Sequence, residues 1–250
     1  MLISKAQKSF SKLNLKNSLI AIVPARKGSV GVRNKNTRLI NKIPLIDYTI
    51  KVLNQSNLID LIVITTNDEK IIKYYKSHKD ILVIKRSDRI SNSKSSSYQY
   101  TKDVLVKLKK FYNYIPNSIL IAQPTSPLRK INDINNSIRQ FSLSKKKSLV
   151  SVCKAEGMRH PKDMYIINNH SNIKPYIFQK KTYETRDEYF KIYQRNGCIY
   201  IFDTQFFLRY RKVKSNNPEL YIMPWIRSIN IDIEDDFNIA KCLIESKIKY

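Results

Sequence analysis

Apolar residues in this chain gather into short unbroken runs: Leu19–Val23, Leu61–Thr66, Ile81–Lys85, Ile119–Gln123, Leu149–Cys153 and Cys198–Phe202. Each has the length of a strand, and a strand apolar on both faces belongs inside a sheet covered on both sides. Between the early runs the spacing becomes helical, at about Ile46–Leu53, Glu69–Ser77, Ser97–Lys109 and Ile131–Phe141. Phe237, Ala240, Leu243, Ile244 and Ile248 mark a buried stripe on a last helix. Strand and helix in alternation predict an α/β fold, a mostly parallel sheet sandwiched by helices. Ligands of such sheets bind beyond the C-terminal strand ends, so function is expected after Val23, Thr66 and Gln123. The rhythm breaks over about 156–193, a stretch rich in Lys, Asn, His and aromatics with Pro161 and Pro175. That stretch reads as an inserted arm, either a solvated β-excursion or a contact for a second subunit.

A chain of 250 residues, 42% hydrophobic, suffices for one large domain over 19–250 behind a basic extension, 1–18. The extension lacks the apolar core of an export signal, and no run approaches the roughly 18 residues of a membrane span. Cys153, Cys198 and Cys242 are too far apart for a disulfide framework or a metal knuckle, which fits reduced thiols in the cytoplasm. The formal charge of +26 would by itself suggest a nucleic-acid partner. Its lysines, however, are spread along the chain among Ile, Asn and Tyr, and the densest run, Lys145-Lys146-Lys147, is short. No zinc-finger, RNA-recognition or helix-turn-helix pattern accompanies them. The expectation is therefore no specific nucleic acid and no membrane, with salt-sensitive adhesion to polyanions.

The chain has only four glycines, and two fall within Arg26-Lys27-Gly28-Ser29-Val30-Gly31, directly after the first apolar run and ahead of Lys35-Asn36. Glycine so scarce is expected where backbone must approach something closely. A strand followed by small, basic and amide residues suits a cradle for an anionic ligand, with Arg26, Arg33 and Lys35 compensating charge. The alternative is an ordinary strand-to-helix turn. The loop lacks the third glycine of a dinucleotide fingerprint and the G-K-[ST] ending of a Walker loop.

Three further segments carry candidate chemistry. Gln123-Pro124-Thr125-Ser126-Pro127-Leu128-Arg129 leaves a strand rigidly, with Gln123 at the tip, where an amide can read a base or a sugar hydroxyl. Arg86 precedes a serine-rich loop in which Ser97 is placed to cap the next helix. In Ser228–Asp236, Asn230 and Asp232 stand two apart, and on a strand both would face one way. Asp235 and Asp236 suit the N-terminus of the last helix. Asn196-Gly197 reads locally as a tight turn, and His160, with no carboxylate or cysteine at ligand spacing, as structural.

These segments together resemble the cytidylyltransferases that activate sialic acids and related nine-carbon sugars. The correspondence runs from about Leu19 to Lys247. Pro24–Gly31 with Lys35-Asn36 is similar to the family's P-A-R-x-G-S-K-G…K-N opening, and Gln123–Arg129 to its Q-P-T-S-P-L-R string. Ser228–Asp236 is similar to the closing S-I-D-I-D-x-x-x-D. The resemblance implies a nucleotide-diphospho-sugar-transferase fold, a dimer joined by the arm, and transfer of CMP from CTP to a sialic-type acid with release of pyrophosphate. Legionaminic acid, pseudaminic acid and Kdo remain alternative acceptors. A basic scaffold or nucleic-acid binder on a degenerate enzyme fold is the alternative from another class.

By the same resemblance, Ala25, Arg26, Gly28, Ser29, Gly31, Lys35, Asn36, Arg86 and Ser97 would hold the nucleotide, with Arg86 as a plain surface residue the other possibility. Gln123, Thr125, Ser126, Arg186 and Asn196 would hold the sugar. Arg26, Lys35 and Asp232 would serve catalysis, with Mg²⁺ on Asp232 and Asn230. Two departures each remove a charge: Val30 stands where the family has lysine, and Asn230 where it has aspartate. Lys27 or Arg33 is available to compensate for Val30.

Overall fold

In the computed structural model the described residues are 18–29, 31–167, 173–177 and 191–246. The extension before Ser18, Val30, parts of the arm including Arg186, and 247–250 lie outside them. The described strands are β1 (Leu19–Pro24), β2 (Leu39–Ile40), β3 (Ile43–Pro44), β4 (Leu61–Thr66), β5 (Ile81–Lys85), β6 (Ser118–Ala122), β7 (Ser148–Lys154), β8 (Tyr165–Ile167), β9 (Ile173–Pro175), β10 (Tyr193–Asp203) and β11 (Glu219–Ile222). The helices are α1 (Leu45–Asn54), α2 (Glu69–Tyr75), α3 (Ser97–Tyr112), α4 (Ile131–Leu143), α5 (Thr204–Tyr210) and α6 (Glu234–Glu245).

Among the described residues the main sheet has seven strands in the order β11-β7-β10-β6-β1-β4-β5. All run parallel except β10, which returns antiparallel between β6 and β7. The solid apolar runs are explained by two cores. Ala21, Val23, Ile62, Ile64, Ile81 and Val83 point to one face, where α1, α2 and α4 pack. Their neighbours Ile20, Ile22, Leu61, Val63, Leu82 and Ile84 point to the other, beneath α3 and α5. A strand buried on both faces gains nothing from a polar alternate, so periodicity of two disappears. A third cluster, built on Val32, Ile40, Leu45, Leu128, Ile231 and Phe237, joins α6 to the β2–β3 hairpin and to the loop after β1.

The six apolar runs are all strands and the helices expected between them are present, with ends shifted by a few residues. The β2–β3 hairpin, β11 and α5 were not anticipated, the hairpin because its two-residue strands carry too little periodicity to register. The hairpin turns on Asn41 and Lys42, both with positive φ, the pair a tight primed turn demands. Ser97 is not the cap of α3. Ser96 fills that place, its Oγ accepting from Gln99 N while the Gln99 side chain receives Ser96 N at 2.8 Å. Nor is Ser228–Ile233 a strand. A 3₁₀ turn over Trp225–Ser228 leads into an irregular extended segment that runs to α6.

That segment is moored by a buried ion pair. Asp133, fully buried on α4, takes Nε and Nη2 of Arg227 at 2.9 Å each, and accepts Lys130 N as well. Its carboxylate holds the Arg227 guanidinium above its ordinary pKa. Removing one partner strands the other charge away from water. Arg227→Ala is expected to lower unfolding free energy by about 3 kcal/mol or more, measured by chemical denaturation.

Candidate active site

Loops from the C-terminal ends of β1, β5 and β6, with the segment before α6, enclose a cleft of about 540 Å³. The loop after β1 is sewn to its neighbour: Ala25 N donates to Thr65 O at 3.0 Å, Thr66 Oγ1 to Ala25 O, and Lys27 N to Asn67 Oδ1 at 2.8 Å. Farther on, Asn34 adopts positive φ and opens the 3₁₀ turn Lys35–Thr37, which buries Lys35 and Asn36. Asn36 Nδ2 donates back to Arg26 O at 3.0 Å and fixes the loop's span. Arg26 lines the cleft, with Nη1 on Gly28 O at 2.7 Å. Ser29 and Gly31 line it as well.

Glycine at 31 has a steric cause. A Cβ there would overlap the carbonyl oxygen of Asp232. Lys35 Nζ crosses to donate to Ile231 O and stands 3.7 Å from Asp232 Oδ1. Burial lowers the Lys35 pKa, and Asp232 partly offsets that effect. The loop after β1 and the segment before α6, some 200 residues apart, are thus one structure.

Arg86 and Ser97 approach from the next strand over. Arg86 is 3% exposed, lies 5.6 Å from the Tyr100 ring, and its Nε has no hydrogen-bond partner. Burial pulls its guanidinium well below the ordinary range, to about 10. It is no surface residue: the side chain lines the cleft together with Ser93, Ser95 and Tyr100. Those three were not singled out as site residues from the sequence. The serine-rich loop was the available signal, whereas Tyr100 reads as core.

The β6 loop supplies Gln123, Pro124 and Thr125 to the wall. Ser126 is buried behind it and reaches Asn230 Oδ1 at 3.4 Å. Fully buried Arg129 supports this loop by donating to Gln123 O, Thr49 Oγ1 and Cys198 O. Asn230 turns its amide nitrogen, not its oxygen, toward Asp232: Nδ2 lies 2.8 Å from Asp232 Oδ2, while Oδ1 accepts from Thr125 Oγ1 at 2.5 Å. The expected pair of oxygen ligands on a strand is therefore absent from this arrangement. Asp236 accepts from the backbone N–H of Asp232 and of Ile233 at 2.8 and 3.0 Å, the helix-terminal role expected of it.

Ala25, Gly28 and Asn196 are not in the cleft lining. Ala25 is buried beneath the loop, and Gly28, at φ 74°, shapes it. Asn196 sits in the bulge of β10 with its amide saturated: Oδ1 accepts from Ser151 Oγ and Cys198 N, and Nδ2 donates to Ser228 Oγ and Met223 Sδ. Its neighbour Gly197 packs against Asn230. Arg186 and Val30 lie outside the described residues. His160 is buried and accepts from Lys162 N, in keeping with a structural role.

Among the described lining residues three cations, Arg26, Lys35 and Arg86, face a single carboxylate, Asp232. Such a cleft attracts a compact polyanion, and its hydroxyl and amide groups can read the remainder of the ligand. A buried arginine with an unpartnered Nε destabilises the empty protein. Arg86→Met is therefore expected to raise stability by about 1 kcal/mol and to weaken nucleotide binding at least about tenfold, read by denaturation and by titration calorimetry.

The sequence profile of the cytidylyltransferase family matches residues 20–222. The chain is 27% identical over 232 residues to post-translational flagellin modification protein B of Campylobacter coli, covering 92% of this chain and 97% of that protein. It is 28% identical over 235 residues to the N-acylneuraminate cytidylyltransferase of Escherichia coli, covering 93% of this chain but 54% of that enzyme, about half its length. A CMP-N,N'-diacetyllegionaminic acid synthase of Campylobacter jejuni is 28% identical over 230 residues, covering 92% and 96%. Among solved structures, CMP:2-keto-3-deoxy-manno-octonic acid synthetase complexed with CTP superposes with a TM-score of 0.66 at 12% identity, over 93% of this chain and all of that one. At that identity the likeness concerns the fold. A profile match across most of the chain, on a sheet whose strand ends carry this cationic cleft, makes the protein a member of the cytidylyltransferase family.

Proposed function

We propose that this cytidylyltransferase joins CTP to a sialic-type nonulosonic acid, giving a CMP-sugar and pyrophosphate. The observation that carries the reading is the convergence of Arg26, Lys35 and Arg86 on one cleft beside the Gln123–Thr125 wall. The named activities of the relatives, sialic and legionaminic acid activation, supply the acceptor class. The reaction is in-line displacement at the α-phosphorus by the sugar hydroxyl. It depends on positioning and charge neutralisation more than on covalent catalysis. Lys35, anchored on Ile231 O, and Arg26, anchored on Gly28 O, neutralise the phosphates from preset positions. Arg86, Ser97 and Tyr100 enclose the nucleoside side of the cleft. Gln123 and Thr125 face the acceptor.

Mg²⁺ is the proposed cofactor. No cluster of three or more His, Cys, Asp or Glu occurs among the described residues, so the protein would contribute few ligands. That suits magnesium, which keeps waters and takes phosphate oxygens beside one or two carboxylates. Asp232, its side chain 72% exposed, would hold the ion. When bound, Mg²⁺ offsets charge on the departing pyrophosphate. A cytoplasmic location is part of the proposal, supported by the CTP substrate and by three free thiols; among the described residues no helix is long and apolar enough to cross a membrane.

The arm supports a homodimer. Tyr165, Ile167 and Ile173 on the β8–β9 ribbon are each about two-thirds exposed (66%, 68% and 66%), an apolar surface that a second subunit would cover. Ile167→Lys with Ile173→Lys is expected to shift the protein from dimer to monomer in light-scattering chromatography; a monomeric unmutated protein would remove the proposal. Pyrophosphate release is expected with CTP and Mg²⁺ plus one of N-acetylneuraminic, legionaminic or pseudaminic acid or Kdo, and silence with all four would defeat the reading. Lys35→Ala is expected to cut kcat/KM by about ten- to hundredfold, from loss of one charge-assisted contact.

A further inference from the structure

Asp232 is the sole carboxylate among the described residues lining the cleft, and both its oxygens are already engaged by this chain. Asn230 Nδ2 donates to Oδ2 at 2.8 Å, and the Lys35 ammonium faces Oδ1 at 3.7 Å. Asn230 is itself held: Thr125 Oγ1 donates to its Oδ1 at 2.5 Å, with Ser126 Oγ at 3.4 Å. Turning the amide over would set its oxygen against the Asp232 carboxylate, so the network has one favourable sense.

We infer that Asn230 and Lys35 neutralise Asp232 from within, so that the nucleotide-free protein holds no divalent cation and takes one up only as the chelate of the triphosphate. The inference rests on the nucleotidyl-transfer reading above. Its physical basis is competition. A cation approaching Asp232 alone must displace an amide donor and face a buried ammonium, while gaining one exposed carboxylate in return. Magnesium sheds water reluctantly, and its affinity follows the number of charged oxygens offered. A triphosphate brings those oxygens, and it draws the same Lys35 toward itself. Asn230 is thus a positioning residue: it orients Asp232 without an ion and sets the order of assembly.

The test is binding of Mn²⁺, as a paramagnetic stand-in for magnesium, to nucleotide-free protein, followed by electron paramagnetic resonance. Wild type is expected to show no saturable site at concentrations where Asn230→Asp does, with at least about tenfold tighter binding in the variant from the added carboxylate. Asn230→Ala, which removes the competing donor without adding charge, is expected to fall between them. If Asn230→Asp fails to melt cooperatively, Asn230→Ala against wild type decides. Wild-type affinity equal to that of the folded variants would overturn the inference. A separate CTP titration with Mg²⁺ present guards the distinction: no nucleotide binding at all would count against the proposed function, whereas the Mn²⁺ comparison is read on protein without nucleotide.

Discussion

The backbone of Ile231 and Asp232 is gripped from both walls of the cleft, and the rest of the site depends on that grip. Ile231 N donates to Thr125 O at 2.7 Å, and Ile231 O receives Lys35 Nζ. The Asp232 carbonyl lies where a side chain at position 31 would be, and the Ile231 side chain is buried with Val32 and Phe237. One short segment thereby fixes the spacing between the loop after β1 and the loop after β6. The Asp133–Arg227 pair and the α6 terminus secure the two ends of the segment.

A second feature follows from gathering three cations around a single carboxylate. Arg86 is buried with Nε unsatisfied, and Lys35 is depressed by burial. Both groups cost stability in the empty protein, and both suit a ligand that brings negative charge with it. Preorganised cations of this kind act at low reorganisation cost when the phosphates arrive. The large net charge of the whole chain is a poor guide to this arrangement, since the working cations are three of 46 and are distinguished by burial and direction.

Much of the architecture was legible because burial on both sheet faces writes itself into sequence as solid apolar runs. The order of strands was not, and neither was the reversed β10, because a run of Ile and Val carries no direction. The glycine loop, Lys35, Arg86 and the Gln123 string were legible as segments of unusual composition at strand ends. Within them, roles divided in ways the residues alone did not indicate. Arg129, the last residue of that string, is a buried brace and not a ligand contact. Asn196 is consumed by its own bulge. Ser96, one residue away from the serine expected, caps α3.

Asn230 shows the division most clearly. Sequence alone determined that an amide stands two residues before Asp232, with one charge fewer than the resembled family carries there. Which atom of the amide faces the carboxylate was decided only by tertiary structure. Thr125 and Ser126, more than 100 residues away in the chain, place two hydroxyls against the amide oxygen and leave the nitrogen for Asp232. The physical reason is that hydrogen-bond direction depends on which donors surround a group in space, and those donors come from loops brought together by the fold.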